Sequence, residues 1–253
     1  MIRVCIAGIT GWTGSAVAAA VEEADDLELV SGVSRSAAGD GLVHGTVAEA
    51  LAAAPADVVV DYTSAEAVKG NVHAALDAGV AVVVGSSGLS QEDYDEIGAR
   101  AREAGVGVVA AGNFSLLAAL LLRCSAEVAR HVGSWEILDY ASAGKPDVPS
   151  GTSRELAERL AAVREPALGR PIDALQGPVE ARGATVGGAQ IHSVRLPSFV
   201  VSTEIVFGAT GERLVLRHDP GESPAPYVAG TLHAVRAVGD RVGLTRGLDA
   251  LLP

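Results

Sequence analysis

The segment Lys145-Pro146-Asp147-Val148-Pro149-Ser150-Gly151-Thr152 sets an amine a few residues ahead of two hydroxyls and a glycine. Lysine is scarce in this chain, with Lys69 and Lys145 standing against 17 arginines. A desolvated lysine can release a proton near neutral pH, which arginine cannot do. The run Pro149-Ser150-Gly151-Thr152 reads as a helix start, continued by Arg154-Glu155-Leu156-Ala157. Backbone N–H groups at a helix start, joined by the hydroxyls of Ser150 and Thr152, form a cradle for an anionic group. A proton-donating amine beside a carboxylate cradle is the equipment of a reductase or lyase for a small acid. The same residues would also serve as an N-capped surface helix after a proline-rich loop.

A second chemical signature lies near the N-terminus. Strand-like residues run into Gly8-Ile9-Thr10-Gly11-Trp12-Thr13-Gly14, and a helical pattern follows. Glycines at this place let the backbone approach a pyrophosphate seated on a helix N-terminus. Position makes the motif informative, because it follows the first strand and opens the first helix. About 20 residues beyond such a loop, NAD-preferring folds place an acid for the ribose 2′-hydroxyl. Here Ser34, Arg35 and Ser36 occupy that place. A guanidinium and two hydroxyls can bind a 2′-phosphate, so NADPH is the expected donor, with NADH as the alternative. Two further loops, Asp61-Tyr62-Thr63-Ser64 and Gly85-Ser86-Ser87-Gly88, follow apolar strands. Tyr62, Thr63, Gly85, Ser86 and Ser87 would then face the nicotinamide ribose and ring.

These residues must be positioned by the elements around them. Apolar runs Ile2–Ala7, Leu27–Val33, Asp57–Val60, Ala81–Val84 and Gly107–Ala110 alternate with helical patterns such as Gly14–Glu23, Ala65–Asp77 and Gln91–Ala104. Repeated β-α-β units with continuous apolar strands imply a parallel sheet covered on both faces. After Gly112 the pattern changes to a helix over 114–131, a strand over 135–140, the lysine loop and a helix over 150–163. Gln190–Arg195, Phe199–Phe207 and Arg213–Arg217 read as antiparallel strands, and a helix over 227–238 brings the chain back. The expected fold is α/β, a Rossmann-like doubly wound sheet with a second α+β domain carrying a mixed or antiparallel sheet. Residues 1–112, completed by 219–253, would bind the dinucleotide, and 113–218 would bind substrate and form oligomers.

Composition narrows the partners. The chain has 253 residues, 49% of them hydrophobic, which suffices for a sizeable core. A net charge of −12 argues against nucleic acid and anionic membranes. The two cysteines, Cys5 and Cys124, are expected to be buried thiols, and no Cys/His spacing suits a metal. The chain opens on an apolar strand rather than a signal-peptide pattern, so a cytoplasmic location is expected.

With these residues in place the chain resembles the dihydrodipicolinate reductase family, which acts on 4-hydroxy-tetrahydrodipicolinate in lysine biosynthesis. The resemblance spans essentially the whole chain. It rests most specifically on Lys-x-Asp-x-Pro-Ser-Gly-Thr at 145–152, with Gly112-Asn113-Phe114-Ser115, Ile191-His192-Ser193-Val194-Arg195 and Gly211-Glu212-Arg213 with His218 in support. It implies hydride transfer from NAD(P)H, protonation by Lys145, a small carboxylic-acid substrate and a homotetramer built through the second domain's sheet. It adds Asn113 and Phe114 to the cofactor residues and assigns Ser142, Ser150, Gly151 and Thr152 to the substrate.

The chain departs from the family at two places: the family's arginine shortly after the late histidine is absent from Asp219-Pro220-Gly221-Glu222-Ser223-Pro224-Ala225-Pro226, which follows His218, and a histidine pair is missing ahead of the lysine. A histidine pair normally stands three and four residues before the lysine, and here those positions are Ser142 and Ala141. Asp139 and Tyr140 just precede them and could tune Lys145, and His192 or His218 could stand in for the missing imidazole. Three readings stay open at this point: a family reductase with a divergent site, a reductase of another imine or unsaturated acid, and a non-catalytic dinucleotide-binding protein.

Overall fold

Short apolar strands bounded by glycine-rich turns can be buried on both faces only if helices cover both sides of a parallel sheet. The computed structural model, which describes residues 1–36 and 41–253, has this arrangement. The elements are β1 (Ile2–Ala7), α1 (Trp12–Glu22), β2 (Leu27–Val33), β3 (Val43–His44), α2 (Val47–Ala53), β4 (Val58–Asp61), α3 (Val68–Asp77), β5 (Ala81–Val84), α4 (Gln91–Ala104) and β6 (Gly107–Ala110). They continue with α5 (Leu116–His131), β7 (Trp135–Ala141), α6 (Gly151–Ala161), β8 (Ala184–Val186), β9 (Ala189–Arg195), β10 (Val201–Ala209), β11 (Glu212–His218), α7 (Ala225–Val238) and β12 (Gly243–Arg246).

The chain divides into two compact units, one of Met1–Leu116 with Pro224–Pro253 and one of Leu117–Ser223. The first unit holds a seven-stranded sheet in the order β12-β6-β5-β4-β1-β2-β3, with every pairing parallel. Cys5, Ala7, Val59, Val82, Val84, Val108 and Ala110 face a core closed by α2, α3 and α4. Helices α1 and α7 pack on each other and on the sheet, which is therefore doubly wound. Two helices start in capping boxes, α2 between Thr46 and Glu49 and α4 between Ser90 and Asp93, and α4 ends at Gly105 with φ +71°.

The second unit holds a five-stranded sheet ordered β11-β10-β7-β9-β8. Burial alternates along β7, so Trp135, Ile137, Asp139 and Ala141 share the buried face. Trp135 and Ile137 join Ile191, Ile205 and Phe207 in a core closed by Leu122 and Ala129 of α5 and by Leu156, Ala157 and Leu160 of α6.

Several expectations need correction. The three late strands alternate in direction as expected, but β9 is not a neighbour of β10: β10 pairs antiparallel with β11 and β7, and β9 pairs parallel with the far side of β7. The chain between β7 and β9 carries a helical crossover, which returns a strand in parallel, and side-chain alternation contains no information about neighbour order. Strands β3, β8 and β12 and helix α2 were not legible, the strands being only two to four residues long. Cys124 is exposed rather than buried. Helix α5 is apolar on most sides, yet only Ala118, Ala119, Leu122, Ser125 and Ala129 are buried.

The third loop glycine packs α1 closely against the turn. A Cβ at Gly14 would lie 2.1 Å from the Gly8 carbonyl oxygen. Gly14→Ala is expected to destabilise the first unit by about 1–3 kcal/mol, the usual cost of overpacking. Urea unfolding of the variant against wild type measures it.

Candidate active site

The three loop glycines have three different environments. Gly8 adopts φ +85°, and a Cβ there would lie 2.2 Å from the Tyr62 carbonyl oxygen. Gly11 is the roomy one, its virtual Cβ meeting only the Gly8 carbonyl at 3.1 Å and the Tyr62 carbonyl at 3.9 Å. With the close packing of Gly14, this is the tight turn, open approach and helix contact that a pyrophosphate site needs. Thr13 is half-buried in the first turn of α1, and Trp12 is 51% exposed with its ring edge-on to Tyr227 at 6.0 Å. The loop, as a fold of this chain, fits a dinucleotide.

At the end of β2 the hydroxyls gather. Ser34 is buried, and its Oγ lies 2.9 Å from Thr10 Oγ1 and 3.2 Å from Ser36 Oγ. Arg35 and Ser36 are exposed on the turn that follows.

The next two strand ends are tied together by a carboxylate that the sequence reading did not single out. Asp61, fully buried at the end of β4, accepts from Ser86 Oγ at 2.5 Å, Thr63 Oγ1 at 2.8 Å and Thr63 N at 3.1 Å. Its other oxygen accepts from Asn71 Nδ2 at 2.8 Å. Thr63 and Ser86 are thereby fixed to each other at adjacent strand ends, with Thr63 N also 2.7 Å from Ser86 Oγ. Tyr62 donates to Thr231 Oγ1 at 2.7 Å, since that hydroxyl gives its own proton to the Tyr227 carbonyl at 2.8 Å. Burial pushes the Tyr62 phenol up. Gly85 has to be glycine, because a Cβ would lie 2.2 Å from the Tyr62 ring. Ser87 is exposed beyond it. Phe114 is buried with its ring T-shaped to Tyr62 at 6.2 Å, and Asn113 Oδ1 accepts from Ser115 N at 2.8 Å.

In the second unit, strand register lines up a polar row on the helix-covered face. Thr203 pairs with both His218 and Asp139, and Asp139 pairs with Ser193. Asp139 is fully buried. Its oxygens accept from Ser150 Oγ, Ser150 N at 2.9 Å, Ser153 Oγ at 3.1 Å, Ser193 Oγ at 2.9 Å and Arg195 Nη2 at 2.8 Å. Burial alone would raise the Asp139 carboxyl; the bonds from Ser150, Arg195 and Ser193 outweigh it and hold the group below its ordinary range.

This network determines what the lysine loop presents. Ser150 stands at the N-cap position of α6 without a side-chain cap bond, and its hydroxyl and N–H both donate to Asp139, which anchors the helix start. The next residues, Gly151 and Thr152, form the first turn of α6, where helix geometry turns N–H groups outward. Lys145 Nζ lies 2.8 Å from Asp147 Oδ1, and neither residue is fully buried. Ser142 is half-buried and its carbonyl accepts from Lys145 N at 3.0 Å, closing the turn that leads to the amine.

Asp139 and Tyr140 do not tune Lys145 directly. Asp139 turns to Ser150, while Tyr140 lies on the other sheet face, stacked on Phe199 at 5.2 Å with the Arg217 guanidinium 4.9 Å from its ring centroid. Ala141 is fully buried. His192 is in register with Leu138, on the face opposite Asp139, and its Nε2 lies 2.7 Å from Glu136 Oε2. His218 stands on the Asp139 row and is nearly buried; desolvation pushes its pKa down. Among the described residues no group of three or more His, Cys, Asp or Glu side chains could hold a metal, and no helix is long and apolar enough to cross a membrane.

Comparison with known proteins covers nearly the whole chain. The family model for the dihydrodipicolinate reductase N-terminus matches residues 2–114, and that for the C-terminus matches residues 117–252. The chain is 40% identical over 255 residues to a 4-hydroxy-tetrahydrodipicolinate reductase of Cutibacterium acnes, covering 100% of this chain and 99% of that one. It is 39% identical over 254 residues to the enzyme of the same name from Nocardia farcinica, covering 99% and 98%. Among solved structures, dipicolinate-bound dihydrodipicolinate reductase from Paenisporosarcina sp. TG-14 superposes with a TM-score of 0.80 at 28% identity, covering 100% of both chains.

The Asp139 network has a pH signature. Its folded pKa lies below the unfolded value of about 3.9. The stability it contributes is therefore complete above that value and is lost as pH falls through the folded pKa. Asp139→Asn is expected to cost about 3–5 kcal/mol at pH 7, the usual penalty for breaking a buried pair. The gap to wild type should narrow in acid, as followed by denaturant melts between pH 7 and pH 2.

Proposed function

The chain belongs to the dihydrodipicolinate reductase family and is an NAD(P)H-dependent reductase, and from that premise we propose that it reduces 4-hydroxy-tetrahydrodipicolinate with Lys145 as the proton donor. The observation that carries this reading is the lysine loop: an amine held by Asp147, followed by a helix start anchored on a buried carboxylate. The bound nicotinamide would supply the hydride. Lys145 would deliver the proton, with Asp147 orienting its amine beforehand. Gly151 and Thr152 would bind a substrate carboxylate through the first turn of α6, with Ser142 alongside and Ser150 holding the turn in place.

Gly8, Gly11, Trp12, Thr13 and Gly14 would hold the pyrophosphate. Tyr62, Thr63, Gly85, Ser86, Ser87, Asn113 and Phe114 would shape the nicotinamide side, with Asp61 keeping Thr63 and Ser86 in register. Ser34, Arg35 and Ser36 would receive the 2′-phosphate, which favours NADPH while leaving NADH usable. A cytoplasmic homotetramer assembled through the second unit's sheet completes the reading, on family grounds.

The absence of histidine at 141 and 142 does not undo it. A positioned acid contributes roughly 10²–10⁴-fold, and here that acid is lysine. NADPH oxidation with freshly generated 4-hydroxy-tetrahydrodipicolinate is expected for wild type, with a loss of about 10²–10⁴-fold in Lys145→Ala. No turnover of this acid by wild type, with NADPH bound, would move the activity to a different imine or unsaturated acid or leave a dinucleotide-binding protein without it.

Cofactor preference has its own test. Losing a charge-assisted hydrogen bond costs about 1.5–3 kcal/mol, so Arg35→Ala should raise KM for NADPH by about 10- to 100-fold and leave KM for NADH unchanged. Equal effects on both cofactors would remove Arg35 from the phosphate site.

A further inference from the structure

The loop between β7 and α6 carries the amine at one end and the acid-binding helix start at the other. Both are useful only at a constant separation. The two ends are held by different members of one buried pair. Asp139 holds the helix start, through the N–H and hydroxyl of Ser150. Arg195 holds the amine end: its Nη2 donates to the Asp147 carbonyl at 2.7 Å, and the same residue's Oδ1 lies 2.8 Å from Lys145 Nζ.

Arg195 is itself well fixed. Nη2 also donates to Asp139 Oδ2 at 2.8 Å, and Nη1 donates to the carbonyls of Val194 at 3.0 Å and Asp139 at 3.3 Å. Its side chain is 15% exposed, and it pairs in register with Ala141, the last residue of β7. A planar guanidinium presents several donors in fixed directions, whereas an ammonium is a point charge on a flexible stem. Only the former can meet a carboxylate and a carbonyl on different segments at set angles.

We propose that Arg195 is the positioning residue for Lys145, its guanidinium joining the Asp139 carboxylate to the Asp147 carbonyl and so setting the amine at a fixed distance from the acid-binding helix start. This rests on the reading of Lys145 as proton donor. Arg195 touches neither substrate nor cofactor in this role; it acts through Asp147. A misplacement of about 1 Å can cost about 10²-fold in rate, so the effect belongs in kcat.

The test compares wild type, Arg195→Lys and Asp147→Ala. Arg195→Lys keeps a cation beside Asp139 and so isolates the loss of the second contact. It should melt close to wild type and bind NADPH normally, with kcat down about 10- to 100-fold and KM for the acid unchanged. Asp147→Ala, in a half-exposed loop position, should show the same split, and the double variant should be no worse than the poorer single one. Wild-type kcat in either folded variant overturns the proposal, as does a rise in KM alone. Should Arg195→Lys fail to fold, Asp147→Ala decides by the same criterion.

A wild type inactive on the acid would instead sink the functional reading. Lys145 can then be followed without turnover. With only two native lysines, ¹³C-dimethylated protein should show a Lys145 resonance that shifts towards free lysine in Asp147→Ala and in Arg195→Lys, with Lys69 unmoved. The lysine added in the second variant is recognised by its absence from wild type. An unmoved Lys145 signal refutes the proposal irrespective of substrate.

Discussion

A carboxylate sealed from water is tolerated only if its lone pairs are met, because an unpaired buried charge costs several kcal/mol. Asp139 satisfies this condition with donors from α6, from the loop before it and from β9. The β7–β9 pairing and the apolar core under α6 bring these segments together, and the carboxylate decides how their polar groups align. The helix start at Ser150 is oriented by this charge, and so is the arginine that reaches Asp147. What the lysine loop presents to solvent is therefore determined from beneath.

The first unit uses the same device. Asp61 sits at the end of β4, where ligands of open α/β sheets bind, and joins the loop after its own strand to the loop after β5. Close backbone packing completes the frame. Gly8 and Gly85 abut Tyr62, and Tyr62 is tied to Thr231 on α7. In both units a buried aspartate at or near a strand end holds small polar residues in a defined arrangement. Rigid support of this kind is what a site needs if its groups are to meet a reactant without reorganising.

The loss of the histidine pair looks different once the packing is seen. Ala141 is on the buried face of β7 beside Arg195, and Ser142 opens the turn to Lys145. Both positions are thus part of the base on which the lysine loop stands. His192 is removed from consideration as a substitute by its register, which sends it to Glu136 on the far face. His218 shares the Asp139 row.

Much of this protein was legible along the chain. Apolar runs between turn residues specify a doubly wound sheet, because burial on both faces demands continuous hydrophobicity. The glycine loop, the Ser34-Arg35-Ser36 turn and the lysine segment stand out in the sequence because each is contiguous. Strands β3, β8 and β12 escape notice because they are short without the continuous apolar run that marks the equally short β4, β5 and β6. The placing of β9 beside β7 rather than β10 escapes because side-chain alternation carries no neighbour order. The remaining decisions belonged to tertiary structure: that Asp139 faces Ser150 rather than Lys145, that Ser150 is an anchor, that Asp61 joins two loops and that Arg195 reaches Asp147. A shift of one residue in register would send Asp139, Asp61 and Arg195 to the opposite face, so their partners, Ser150 among them, exist only once the sheet has chosen its pairing.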